Sequence, residues 1–183
     1  MKLRPRPRTQ PHPRAATGTV LAARRRRYHA GMDETSPLPL PTALPAHLGW
    51  RLLALVYDAM PNIAIWFAVS GVALAVVPGH APFAPWSLGQ MALWGLCWGT
   101  SGLYAVMSWK GIGQTLGMRP WRLKVLGTDG RVAGARALWV RYAVATLSLA
   151  LAGLGFAWSL VDRERRTWHD LASGTVLVRL PPR

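Results

Sequence analysis

Three long apolar segments constrain this chain more than any other feature of its sequence. They cover residues 52–76, 88–109 and 137–161, and their only charged residues are Asp58 and Arg141. A transmembrane helix needs about 20 mainly apolar residues, because the hydrocarbon core is about 30 Å thick and a helix rises about 1.5 Å per residue. Three buried core helices of a soluble domain would need more covering chain than this sequence offers. We therefore predict an all-α integral membrane protein, a bundle of about three apolar helical segments.

The basic residues predict how this bundle is oriented. The chain has 22 Lys and Arg residues against seven Asp and Glu. None of the basic residues falls in residues 77–87, whereas several fill the connection 110–136. The positive-inside rule then places the second connection in the cytoplasm and the first outside. We expect a multi-pass protein of the cell membrane, the bacterial inner membrane, whose basic residues contact anionic lipid headgroups and not nucleic acid.

The N-terminal residues differ in composition from the rest of the chain. Residues 1–46 are rich in Arg and Pro and have no apolar periodicity, so we predict a disordered basic tail followed by a membrane domain over residues 47–180. The tail lacks the apolar stretch of a secretory signal. Met32 is an alternative start, because residues 1–31 are strongly basic and contain no acid.

Motifs of catalysis and cofactor binding are not apparent in the sequence. The five histidines are scattered, without the clustered spacing of metal ligands. The Gly111-Ile112-Gly113 run is not followed by the third glycine of a dinucleotide-binding fingerprint. We therefore expect no enzyme activity, no cofactor and no metal.

Polar residues follow one face of each apolar segment. Residues three and four apart share a helix face, and this spacing connects the polar residues from Gln90 to Ser108 and again those from Arg141 to Asp162. Gly95 and Gly99 form a GxxxG pair that permits close backbone approach. The face of the first segment holds Arg51, Asp58 and Asn62. Lipid offers these groups no partners, so we expect the faces to meet in one polar interior.

Asp58 is the clearest candidate for a functional residue. An acid inside a membrane segment is costly, and such residues usually mark a function. Arg141 is the expected partner, and Asn62 lies one turn further on; Arg51 lies about 10 Å away along the helix axis, which is marginal for contact. Two interpretations stay open, a transport site and a structural ion pair that fixes the register of the helices.

Several short stretches along residues 47–180 resemble one family of membrane proteins. These stretches are GWRLLALVYD at residues 49–58, GQTLGM at 113–118, Lys124-Val125, Asp129-Gly130, Arg141-Tyr142 and WHDLASGT at 168–175. In this order and spacing they resemble the RDD family, which is named for one arginine and two aspartates.

The resemblance implies which residues carry the family's motif. The arginine corresponds to Arg51, the first aspartate to Asp58 and the second to Asp170, with Asp162 as a rival for the last. Pro61 departs from the aliphatic residues usual in the family at this point. The resemblance also suggests transport of ions or small solutes.

The C-terminal third of the domain leaves its topology open. Gly153 and Gly155 could turn the third segment back as a re-entrant hairpin, whereas its continuous polar face favours a full span. Residues 122–127 and 175–180 are β-prone, and such runs could pair only on one side of the membrane. We therefore favour a small cytoplasmic loop and β cap with both termini in the cytoplasm.

The function expected from these features is a carrier, or a component of one, for a cation or small solute. The alternative is a non-transporting membrane scaffold or assembly protein. A bundle this small lines a pathway poorly, so a homo-oligomer or a partner membrane subunit is expected.

Overall fold

A computed structural model describes residues 44–77 and 82–181. The predicted tail up to residue 43 and the alternative start at Met32 lie outside these residues, as does part of the predicted outer turn. Helices make up most of the described chain, and a small sheet joins its ends. The elements in chain order are β1 (Leu44–Pro45), α1 (Leu48–Val76), α2 (Leu88–Ile112), β2 (Leu123–Gly127), α3 (Ala135–Ala150), α4 (Leu154–Ala157), a 3-10 turn (Trp158–Leu160), α5 (Trp168–Ser173) and β3 (Thr175–Arg179).

Helix α1 is apolar and lies largely uncovered. It has 29 residues, and the described part of the chain leaves its most apolar stretch unburied. Large side chains such as Met60, Phe67 and Val76 are at least three-quarters exposed. A core helix of a soluble protein would be covered, so this surface is suited to lipid. Among the described residues α1 alone is long and apolar enough to cross a membrane as a single straight helix.

Helix α2 is bounded by clear start and stop signals. The Ser87 side chain caps its first turn by accepting a hydrogen bond from the Gln90 amide, and Gly113 ends it in the left-handed conformation with φ of 77°. The helix has 25 residues but falls short of the hydropathy that α1 reaches. A methyl group at Gly95 or Gly99 would meet nothing within 4 Å. The close approach expected at this GxxxG pair is therefore not made by the described part of this chain.

The third apolar segment, residues 137–161, is broken near Gly153, which agrees with the re-entrant alternative and not with a continuous helix. Helix α3 ends at Ala150, and Gly153 adopts a left-handed conformation with φ of 80°. The chain then bends by 108° into α4 and the 3-10 turn. Gly155 packs against the Ser148 side chain, where a Cβ would lie only 2.7 Å from the Ser148 Cβ. Glycine is required there because the returning chain crosses so closely over α3.

The two β-prone runs pair with each other, as expected. The strands form an antiparallel sheet in the order β1-β3-β2, with Val125 opposite Leu177. Pro45 of β1 pairs with Val178. The folded domain therefore includes Leu44 and Pro45, which the prediction assigns to the tail of residues 1–46. The inner face of the sheet packs with the helices in a core of Ala46, Ala54, Val106, Met118, Leu123, Val125, Leu138 and Leu177. The sheet thus joins the start of α1 to the end of the domain.

Candidate functional site

Two arginines and one aspartate from distant parts of the chain form a buried ionic cluster. Asp170 Oδ2 lies 2.7 Å from Arg51 Nη1, and its Oδ1 lies 2.5 Å from Arg141 Nη1. The side chains of both arginines are 4% exposed and that of Asp170 is 0% exposed. The cluster therefore joins α1, α3 and α5 through charges that water does not reach.

Local structure holds Asp170 in place. Thr167 precedes α5 and forms a capping box with Asp170: the Thr167 amide donates to Asp170 Oδ2 at 3.0 Å, and the Asp170 amide donates to Thr167 Oγ1 at 3.4 Å. The carboxylate thus caps a helix and pairs with two cations at once. This double role fixes its orientation before any ligand is considered.

Each arginine also binds groups outside the cluster. Arg51 donates to the carbonyls of Ala46 (3.1 Å) and Arg165 (3.2 Å), whereas Arg141 Nη1 donates to Thr175 Oγ1 at 2.7 Å. The Arg141 guanidinium also lies 5.6 Å from the centroid of the Trp109 ring, within the range of a cation–π contact. Arg51 therefore connects α1 to the residues before it and to the connection before α5, and Arg141 connects α3 to β3.

Burial and the charges of the cluster shift the pKa values of two residues of α5, His169 and Asp170. Burial alone would raise the pKa of Asp170, but Arg141 and Arg51 outweigh it and hold that pKa well below its usual range. Burial, and next Arg141, lowers the pKa of His169 well below its usual value, so His169 is neutral at pH 7. The cluster consists of two cations and one anion beside a neutral imidazole.

Asp58 lies in a second hydrogen-bond network, and the expected pairing with Arg141 is wrong. Its carboxylate accepts hydrogen bonds from Thr115 Oγ1 (2.5 Å), the Gly117 amide (2.9 Å) and Tyr104 Oη (3.1 Å). Arg141 pairs with Asp170 instead. Asp58 thus binds α1 to the loop that follows α2, and no described cation pairs with it.

Gly117 makes this contact possible. A Cβ at Gly117 would overlap the Ala54 carbonyl oxygen and would lie 2.6 Å from the Asp58 amide nitrogen. The loop therefore reaches the Asp58 carboxylate only because residue 117 has no side chain.

The structure separates the remaining predicted site residues. Asn62 Nδ2 donates to the Asp58 carbonyl at 2.7 Å, one turn back along α1. Asp162 pairs with Arg166 Nε at 3.1 Å on the same stretch of chain and takes no part in the buried cluster. Of the two candidates for the family's second aspartate, Asp170 is therefore the one that contacts Arg51.

A cavity of about 160 Å³ lies between the helices and connects the two networks. Apolar residues from α1, α2 and α3 form much of its wall, and Phe156 and Leu177 contribute from the C-terminal part. The polar residues on its wall include Arg51, Asp58, Asn62, Tyr104, Arg141 and His169. Only part of each predicted polar face lines this cavity, and Asp58 and Asp170 are held by different partners.

Several residues of this site were not predicted from the sequence. Thr115, Thr167 and His169 lie in connections or in a short helix, where helical periodicity carries no information. The signal for Thr167 was nonetheless present, because Thr followed three residues later by an acid resembles a capping box. Within the described residues no three His, Cys, Asp or Glu side chains form a group that could hold a metal ion.

An uncovered apolar helix that is long enough to cross a bilayer indicates a helical membrane protein. The sequence model of the RDD family matches residues 45–174, and the chain belongs to this family. No curated protein and no solved structure matches the chain. Of the residues that the resemblance assigns to the family motif, Arg51 and Asp170 are in direct contact, and Asp58 lines the cavity that Arg51 also lines.

Proposed function

We propose that this protein is a membrane carrier, or a component of one, for a small solute. The observation that carries the proposal is the cavity between the helices, whose wall combines the carboxylate of Asp58 with the guanidinium groups of Arg51 and Arg141. Charged residues inside an apolar helical domain are expensive and usually serve binding or translocation. A pure packing seam would leave no such space beside them.

The sheet supports a topology in which both ends of the domain face the cytoplasm. Strands β1, β2 and β3 belong to one sheet and must lie on one side of the membrane. In this proposal α1 crosses the membrane outward, α2 crosses back although it is less apolar, and α3 enters the membrane and returns after the bend at Gly153. The basic connection 110–136 and Arg163, Arg165 and Arg166 then all lie inside, in agreement with the positive-inside rule.

Labelling of introduced cysteines tests this topology. Pro181→Cys in a Cys97→Ser background should resist a membrane-impermeant thiol reagent applied to intact cells. The matched control is Val77→Cys in the same background. Val77 follows the end of α1 that lies away from the sheet, so its thiol should react. Labelling of position 181 from outside would overturn the topology.

The second candidate is a non-transporting scaffold, and the ionic cluster itself favours it. Arg51, Arg141 and Asp170 join three helices and the sheet, as a structural lock would. In either case a homo-oligomer or a partner subunit would complete the lipid-facing surface, and crosslinking in native membranes followed by sizing would detect it.

Solute flux into vesicles that contain the Asp58→Asn variant distinguishes the carrier from the scaffold. Asn keeps the shape of Asp58 and one acceptor oxygen but removes the charge. In a carrier coupled to protons or cations the change should abolish solute movement driven by a pH gradient while the protein still folds. Asp129→Asn, the same substitution in the exposed turn after β2, should leave flux unchanged.

The flux measurement covers Na⁺, K⁺, Li⁺ and small organic solutes, with the folded amount measured in parallel. If wild-type vesicles move none of these ions, the cation form of the proposal fails. If they move no solute at all, the scaffold becomes the better interpretation.

A further inference from the structure

Arg141 has hydrogen-bond donors with no partner among the described residues. Its Nη1 group donates to both Asp170 Oδ1 and Thr175 Oγ1. Its Nε and Nη2 groups donate to none of the described residues, although the whole residue is only 3% exposed and lines the cavity. The planar edge formed by Nε and Nη2 is the geometry that binds a carboxylate through two parallel hydrogen bonds.

A second buried group on the same wall also lacks a partner. His169 is 4% exposed and lines the cavity, and its Nδ1 atom makes no hydrogen bond with the described residues. Buried polar atoms are almost always paired, so an unpaired one beside a cavity points to a ligand. Nδ1 can donate or accept, depending on which ring nitrogen of the neutral imidazole carries the proton.

The charges at this end of the cavity do not cancel. Arg51 and Arg141 contribute two positive charges, and Asp170 supplies one negative charge to both. An excess positive charge remains in a site with little access to water, where a counterion is favoured. Asp58 is the other charged group on the wall, but its carboxylate is occupied by Thr115, Gly117 and Tyr104.

The far end of the cavity offers an acceptor and not a cation. Asn62 Oδ1 is buried without a partner among the described residues. It lies about three turns along α1 from Arg51, or about 16 Å by helical rise. Apolar residues of the wall include Leu55, Ala105, Ala145 and Leu149. The cavity therefore combines two guanidinium groups with apolar lining and one unpaired acceptor oxygen.

We propose that this cavity binds a small organic carboxylate, with the anionic group on the Nε and Nη2 edge of Arg141 and the carbon chain along the apolar wall. This inference names the substrate class of the proposed carrier and rests on that proposal. The volume of about 160 Å³ is well below the size of cavities for drug-sized ligands, about 300 to 1,000 Å³, and suits a solute of few atoms.

Binding to the purified full-length protein in lipid nanodiscs tests the inference without requiring transport. The probes are butyrate, 4-aminobutyrate and butylamine, which share a chain length and differ in their charged ends. Isothermal titration and the shift in melting temperature both report binding. We expect the two carboxylates to bind and butylamine not to bind.

Two variants place the ligand in the cavity. Arg141→Lys retains a cation for Asp170 but removes the planar edge, and should weaken carboxylate binding by about tenfold or more. Ala145→Leu narrows the cavity from its apolar wall while keeping all three charged residues of the ionic cluster, and should abolish binding. Its matched control, Ala143→Leu, makes the same change at an exposed position two residues away on α3 and should bind normally.

The outcomes also separate this inference from the proposed carrier function. Absence of carboxylate binding, binding of butylamine alone, or equal binding by Ala145→Leu and Ala143→Leu would overturn the inference. Carboxylate binding without any flux would support the inference and count against the carrier. Flux of other solutes without carboxylate binding would support the carrier and overturn the inference.

Discussion

Replacement of Asp170 by Asn should destabilise the protein more than any other exchange of an acid for its amide. The variant leaves Arg51 and Arg141 with no carboxylate, and both side chains are 4% exposed. Loss of one partner from a buried ion pair costs about 3 to 5 kcal/mol, and here two arginines lose the same partner. The Thr167 amide keeps an acceptor in the Asn oxygen, so the loss comes mainly from charge.

Thermal unfolding of the purified protein, followed by size-exclusion chromatography, measures this loss. A destabilisation of this size corresponds to a fall in melting temperature on the order of 10 °C for a chain of this length. The matched control is Asp162→Asn, which removes the same charge from a pair whose Arg166 side chain is 36% exposed. It should unfold close to the wild type, because solvent screens such a pair. Equal melting temperatures for the two variants would refute the buried-cluster argument.

The same cluster predicts how stability depends on pH. The pKa of Asp170 is lower in the folded protein than in the unfolded chain, where an aspartate titrates at about 3.9. Ionised Asp170 therefore stabilises the fold fully above that pH, and this contribution is lost as the pH falls from about 4 toward the folded-state pKa. Melting temperatures from pH 6 down to pH 3 should fall more steeply for the wild type than for Asp170→Asn. Parallel curves would contradict this assignment.

Three further predictions concern other parts of the chain. Removal of residues 1–31 should leave insertion and folding intact if the tail makes no buried contacts, and loss of inserted protein would contradict it. Arg51→Ala should lower the amount of folded protein far more than Arg24→Ala, as judged by fluorescence-detected size exclusion; equal amounts would show that Arg51 is not held in a buried pair. Gly117→Ala should destabilise by about 1 to 3 kcal/mol through overpacking, whereas Gly99→Ala, with nothing within 4 Å of its Cβ, should not; melting temperatures of the two variants decide this.

The sequence was sufficient to predict the elements whose signals are local. A long apolar stretch interrupted by one charge, Asp58, predicts α1, which runs from Leu48 to Val76 against the expected 52–76. The β-prone runs at residues 122–127 and 175–180 became paired strands, because β-branched and aliphatic residues there favour extended backbone. The family, too, was recognisable from short motifs in order, and the match over residues 45–174 confirms it.

Only the tertiary structure decided which charges meet. Helical spacing shows that Arg141 faces the interior, but it cannot show whether Asp58 or Asp170 lies opposite. That choice depends on the bend of 108° after α3, which returns the chain so that α5 packs beside Arg141. A left-handed glycine at position 153 makes the bend feasible, yet the direction of the returning chain is set by non-local contacts, including that of Gly155 with Ser148. Periodicity describes one helix at a time, whereas an ion pair depends on the relative placement of two elements.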